Sequence, residues 1–224
     1  MDLENIIEII EGRRYECNTY VLKGEELVLI DPGSADNHDY LIQKLHEKNI
    51  NISQIKLIVN THCHYDHGGG NKKLKEFTKA QLAIHSLDAT ALEQGNSEKT
   101  GFKFASNLNY IKDKLGKNEI DTLIIERKLE EGDLINGFKV IHTPGHTSGS
   151  ICLYNESEKI LISGDTIFDA NSIGRTDLPS GSSEQLKQSL EKLSELDVEI
   201  ILPGHGPVIL ENGTSAILQA LEIV

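Results

Sequence analysis

Three histidines and one aspartate fall within six residues of this 224-residue chain: His62, His64, Asp66 and His67. Imidazole and carboxylate are side chains that hold first-row metal ions. Alternation at a strand end would put His62 and His64 on one face and Cys63 on the other. Asp66 and His67 follow where the chain turns, and Gly68-Gly69-Gly70 lets the backbone turn tightly. As plain core this cluster would be costly, because every buried polar group needs a partner. Three further segments repeat the pattern singly. His146 in TPGHT, Asp165 in SGDT and His205 in LPGHG each follow an apolar run and sit beside glycine. Loops at strand ends are where sites are usually built. One such residue alone would be an ordinary loop histidine or turn aspartate. Five histidines and two aspartates so placed point to a metal centre.

These residues need elements to carry them. Residues 18–23 and 27–30 read as a β-hairpin around Gly24-Glu25-Glu26. Residues 36–48 read as a helix with Leu41, Ile42 and Leu45 on one side, and 55–60 as a buried strand. Farther on, 139–142, 150–154, 160–164 and 199–202 read as strands. Residues 184–196 form an amphipathic helix with Leu186, Leu190, Leu193 and Leu196 in a stripe, and 212–224 a closing helix. Phe104, Leu108, Ile111 and Leu115 make a helical seam ending at Gly116. The polar stretch 86–121 is therefore expected to be a helical excursion near the site, with two helices over 86–116. No repeat or linker divides the chain, so residues 1–224 are expected to form a single domain.

Composition limits the function. Hydrophobic residues are 38% and charged residues 25%, as in a globular chain with a real core. Aromatics are 5% and Trp is absent, so the core must be aliphatic. The net charge of −13 repels phosphate backbones and argues against nucleic-acid binding. Apolar runs stop at four residues, far short of the roughly 20 of a membrane helix. No secretory leader is expected from MDLENIIEIIEGRR. Three scattered cysteines, Cys17, Cys63 and Cys152, fit a reducing compartment. The expectation is a cytoplasmic protein acting on a small molecule, with no nucleic-acid or membrane partner. Oligomeric state is not readable.

The segments THCHYDHGGGN, HTPGHTSGS, SGDTIF, SIGRTDLPSG and LPGHGP resemble the signature of the metallo-β-lactamase superfamily, in order, over residues 31–206. Within it they are most similar to glyoxalase II (hydroxyacylglutathione hydrolase) and shorter hydrolases like it. The resemblance implies an α/β (α+β) fold, the four-layer αββα sandwich, with metals at one edge between the sheets. It implies two divalent metal ions, zinc first, with iron or manganese as alternatives. His62, His64 and His146 would hold one; Asp66, His67 and His205 the other; Asp165 would bridge. Two such ions can share a water, lower its pKa and so attack a carbonyl. Asp66 would also orient that water, and Asp31 would orient ligands.

The resemblance further implies that Arg175 and Asp177 border the site, contacting a substrate carboxylate or supporting ligands. Cys63 is expected to be a small buried residue. His85, His142, His38 and His46 are expected to be structural, the last two on the polar side of a helix. The implied reaction is hydrolysis of a small thioester or ester. Full-length glyoxalase II carries a long C-terminal helical domain, and this chain ends at Val224, so glutathione recognition is expected to be loose. The alternatives are a mononuclear iron persulfide dioxygenase using His62, His146 and Asp165, and a promiscuous lactonase or β-lactamase.

Overall fold

The structure is a computed structural model that describes residues 3–101 and 121–224. Two sheets build it. Strands β1 (Ile7–Ile10), β2 (Thr19–Leu22), β3 (Leu27–Ile30), β4 (Ile55–Val59), β5 (Gln81–His85) and β6 (Arg127–Leu129) form a six-stranded sheet in chain order. Its first three strands are an antiparallel meander, and β3 to β6 run parallel. The second sheet holds β7 (Leu134–Ile135), β8 (Phe138–His142), β9 (Ile151–Asn155) and β10 (Ile160–Gly164). After a small hairpin of β11 (Ile167–Asp169) and β12 (Ser172–Ile173), β13 (Ile200–Pro203) adds to it parallel to β10. The helices are α1 (His38–Glu47), α2 (Tyr65–Gly68), α3 (Asn71–Thr78), α4 (Ser86–Glu93), α5 (Ser183–Ser194) and α6 (Gly213–Leu221).

Period-2 alternation sorts the strand side chains into layers. Tyr20, Leu22, Val28, Ile30 and Val59 face Phe138, Val140, Leu153, Ile162 and Leu202 across the gap between the sheets. On the other face of the first sheet, Val21, Leu29, Ile58 and Leu82 meet Leu41 and Leu45 of α1 and Leu74 of α3. Behind the second sheet, Ile141, Cys152, Leu161 and Ile201 meet Leu186, Leu190 and Leu193 of α5 and Ile217 of α6. Helices therefore cover both outer faces, the αββα sandwich of the metallo-β-lactamase fold. Sheets buried on both sides need apolar residues on both faces, which explains unbroken runs such as Leu27–Ile30.

The layering aligns the strand ends. Because β8, β9 and β10 are successively antiparallel, β8 and β10 point the same way, and β13 is parallel to β10. The residues following these three strands therefore emerge at one edge, where the loop after β4 in the facing sheet meets them.

Some expectations shift. Residues 62–64 lie in a loop beyond Val59 rather than on the strand, and residues 65–68 form the short helix α2. Strands β1, β5 and β6 and helix α3 were not legible in the pattern. Of the two helices expected over 86–116, α4 covers the start; the Phe104–Leu115 seam lies outside the described residues. His46 is exposed as expected, but His38 is not on the polar side: it is 6% exposed and stacks on Phe77 of α3, ring centroids 5.3 Å apart. The first turn of α1 is covered by α3, which a helical wheel of α1 alone cannot show. His85 and His142 stack on one another at 4.1 Å and only 9° from parallel. Among the described residues, no helix is long and apolar enough to cross a membrane.

Candidate metal centre

All seven residues singled out above converge at the shared strand edge. Three groups bring their ligand atoms within 4.8 Å of one another: His62, His64 and His146; His62, His67 and Asp165; Asp66, His67 and His205. Nδ1 of His64 lies 2.8 Å from Nε2 of His146, and Nε2 of His67 lies 3.2 Å from Nε2 of His205. Donors to one tetrahedral ion at about 2.0–2.1 Å are about 3.3 Å apart, so this spacing suits a common cation.

Asp165 lies between the groups. Its Oδ1 is 3.1 Å from His67 Nε2, and its Oδ2 is 3.4 Å from His146 Nε2 and 3.7 Å from His205 Nε2. The carboxylate leaves the end of β10, next to Gly204 at the end of β13. A Cβ on Gly204 would collide with Asp165 Oδ1, so only glycine lets this loop pass the carboxylate. Asp66 is 42% exposed, the most open of the seven side chains, and its Oδ2 is 3.2 Å from His205 Nε2.

Asp31 ties the ring orientations together. It ends β3 with a left-handed φ of +53°, a conformation that aspartate tolerates better than most residues. Its Oδ1 accepts the Thr61 N–H at 2.8 Å, and its Oδ2 accepts the Thr61 hydroxyl at 2.7 Å. His67 Nδ1 is 2.9 Å from that same Oδ2. A carboxylate oxygen accepts here, so the neutral His67 ring carries its proton on Nδ1 and offers Nε2 to a metal. The Thr61 hydroxyl spends its hydrogen on Asp31, so His62 Nδ1, 3.1 Å away, must donate to Thr61 Oγ1. That leaves His62 Nε2 bare as well, and this buried atom has no hydrogen-bond partner. A buried lone pair facing other imidazole lone pairs is unfavourable until a cation sits among them. The donor set therefore fits first-row metal ions.

Charge divides the two ends of the site. Burial, then the neighbouring histidines, push His62 well below the usual imidazole range, and burial with His146 takes His64 down to about 3. Burial also opposes a charge on His67, but the Asp165 and Asp31 carboxylates outweigh it and hold its pKa up. His205 is raised likewise, by Asp165 and Asp66 against its burial. Without metal, protons therefore compete at His67 and His205 but not at His62 and His64. As pH falls, an ion at Asp66, His67 and His205 would therefore leave before one at His62, His64 and His146. If both groups are loaded, equilibrium dialysis across pH should show two release steps, and His205→Ala should abolish the one at higher pH. A single step, or an unchanged profile in that variant, would contradict this ordering.

These observations agree with an independent match: the model of the metallo-β-lactamase superfamily fits residues 12–205. The chain belongs to that superfamily. It is 32% identical over 209 residues to the hydroxyacylglutathione hydrolase GloC of Haemophilus influenzae, covering 89% of this chain and 90% of that protein. It is 32% identical over 221 residues to the acyl-coenzyme A thioesterase MBLAC2 of Homo sapiens, covering 88% and 76% respectively. The crystal structure of TTHA1623 in a di-iron-bound form superposes with a TM-score of 0.77 at 27% identity, covering 97% of this chain and all of that one. The chain is thus a metallo-β-lactamase-fold protein with hydrolase relatives and residue clusters able to hold metal.

The metallo-β-lactamase frame also shows what the sequence did not reveal. Arg175 and Asp177 pair with each other through two 2.7 Å hydrogen bonds, with side chains 60% and 68% exposed. None of their side-chain hydrogen bonds among the described residues reaches the seven. The Arg175 main chain does: its carbonyl is 2.7 Å from His146 Nδ1, which fixes that proton and frees Nε2. The Arg175 contact with the cluster is therefore made by its backbone and not by its guanidinium. Asn18 and Tyr20 were not singled out either. Asn18 Nδ2 donates to the carbonyls of Pro203 and Gly206, and the Tyr20 hydroxyl to Pro203, gripping the loop that carries His205. Cys63 Sγ is buried and bonded to the Lys99 carbonyl, away from the histidines, as alternation implied.

Proposed function

We propose that this chain is a metal-dependent hydrolase of small thioesters or esters, similar to glyoxalase II. His62, His64 and His146 would hold one divalent ion and Asp66, His67 and His205 a second, with the Asp165 carboxylate placed between the two groups. Two divalent ions in these positions supply an activated water and a Lewis acid for the acyl carbonyl. The single observation that carries this reading is the placement of Asp165, with Oδ1 toward His67 and Oδ2 toward His146. The hydroxyacylglutathione hydrolase and acyl-coenzyme A thioesterase relatives support thioesters as the substrate class.

The chain's own residues hold protons where they are needed. Asp31 keeps His67 protonated on Nδ1 directly and His62 through Thr61; the Arg175 carbonyl does the same for His146. Asp66, open to solvent, presents a carboxylate oxygen that orients the attacking water. Hydrolysis of a thioester cleaves the acyl C–S bond, adds water and releases acid and thiol in equal amounts.

The test is to assay purified protein against S-lactoylglutathione, an acyl-coenzyme A and a lactone, with zinc, iron or manganese supplied. Ester or thioester cleavage that stops with chelator and returns with metal is expected. Inertness to every ester, with oxygen uptake dependent on glutathione persulfide, would overturn the reading in favour of the dioxygenase.

A further inference from the structure

The three ligands of the first group come from two separate loops. His62 and His64 follow β4 of the first sheet, and His146 follows β8 of the second. Something must hold these loops in register across the gap between the sheets. Asp88, in the first turn of α4 and 2% exposed, lies between them. Its Oδ2 accepts the Cys63 N–H at 2.9 Å, from the peptide between His62 and His64. The same oxygen accepts the Thr147 hydroxyl at 2.7 Å, from the residue after His146. Its Oδ1 accepts the Gly149 N–H at 2.8 Å. The approach is so close that a Cβ on Gly149 would lie 2.6 Å from the Asp88 carboxyl carbon.

We propose that Asp88 is a positioning residue for the three-histidine group, clamping the His62–His64 loop to the His146 loop. The proposal rests on the metal-binding reading above. A buried carboxylate is costly unless hydrogen-bonded; here three donors and the N-terminal end of α4 offset that cost. Its counterpart is Asp31, which serves His67 and, through Thr61, His62. Asp88 touches none of the seven side chains, so it acts only through the loops that present them. It is also unlike a plain core tether, because all three of its donors belong to the two ligand loops. Asp88→Asn keeps the shape but points an amide NH2 at a donor on one side. Thr147→Val removes one of the three bonds and is the milder change.

Metal-free protein titrated with cobalt(II), followed by its visible absorption, tests this. Two backgrounds separate the ions: His205→Ala leaves the three-histidine group complete, and His64→Ala leaves the Asp66/His67/His205 group complete. If neither background binds cobalt, the metal-binding reading itself fails. If they do, Asp88→Asn should weaken binding in the His205→Ala background by about 10–100-fold, the range for residues that orient ligands. In the His64→Ala background it should change binding less than about threefold. Thr147→Val should shift the first background in the same direction by less, and it carries the test if Asp88→Asn does not fold. Unchanged cobalt affinity of the three-histidine group, or equal weakening in both backgrounds, would overturn the proposal.

Discussion

Replacing Asp165 with alanine is expected to empty the paired metal site and lower kcat/KM at least about a thousandfold. The reason is its position: one carboxylate oxygen lies beside His67 and the other beside His146. No other residue of the seven reaches both groups through separate atoms. Its charge is firmly present, because His67 and His205 outweigh burial and hold its pKa well below the usual carboxylate range. Removing it would take a ligand from each of the two proposed ions and leave them facing one another with less negative charge between them. The Lewis-acid contribution at stake is several kcal/mol, and about 4 kcal/mol already corresponds to about a thousandfold in rate. Metal analysis of Asp165→Ala beside steady-state kinetics checks this. Two ions retained per chain, or turnover within tenfold of wild type, would contradict the bridging role.

The second large effect is expected from Asp31→Asn. Asparagine also tolerates the left-handed backbone at this position, so the turn should survive. The side chain, however, must satisfy three donors: the Thr61 N–H, the Thr61 hydroxyl and His67 Nδ1. An amide has one acceptor oxygen, and its NH2 would face a donor. His67 is then free to move its proton to Nε2, which removes the lone pair a metal needs, and His62 loses its relay through Thr61. Metal affinity should fall by about 10–100-fold, with activity falling alongside it. Isothermal titration of wild-type and Asp31→Asn protein with zinc would show this. Equal affinities would mean that Asp31 serves the turn and not the rings.

The cluster of seven candidate ligands was legible because metal chemistry restricts residue type. His62, His64, Asp66 and His67 crowd into six residues beyond β4, and His146, Asp165 and His205 each follow a strand beside a glycine; few other reasons would put them there together. The two-sheet layering was compatible with the strand and helix alternation, but only the motif resemblance implied it. What supports the ligands was harder to see. The Arg175 contribution is a carbonyl, which every residue possesses, so its side-chain type carries no sign of it. Asp88 sits 24 residues beyond His64 in an ordinary SLDAT segment, and its partners are backbone groups brought near only by folding. Strand β1 reads IEII, and β5 begins with a polar Gln81, so neither shows clean alternation. His38 was misjudged because its cover, Phe77, comes from a different helix.

The most direct test is a count of metal ions in protein purified without chelator, by elemental analysis together with anomalous diffraction from its crystals. Two ions per chain are expected, one beside His62, His64 and His146 and one beside Asp66, His67 and His205, with Asp165 contacting both. A single iron bound by His62, His146 and Asp165, with no second ion after saturation, would contradict it.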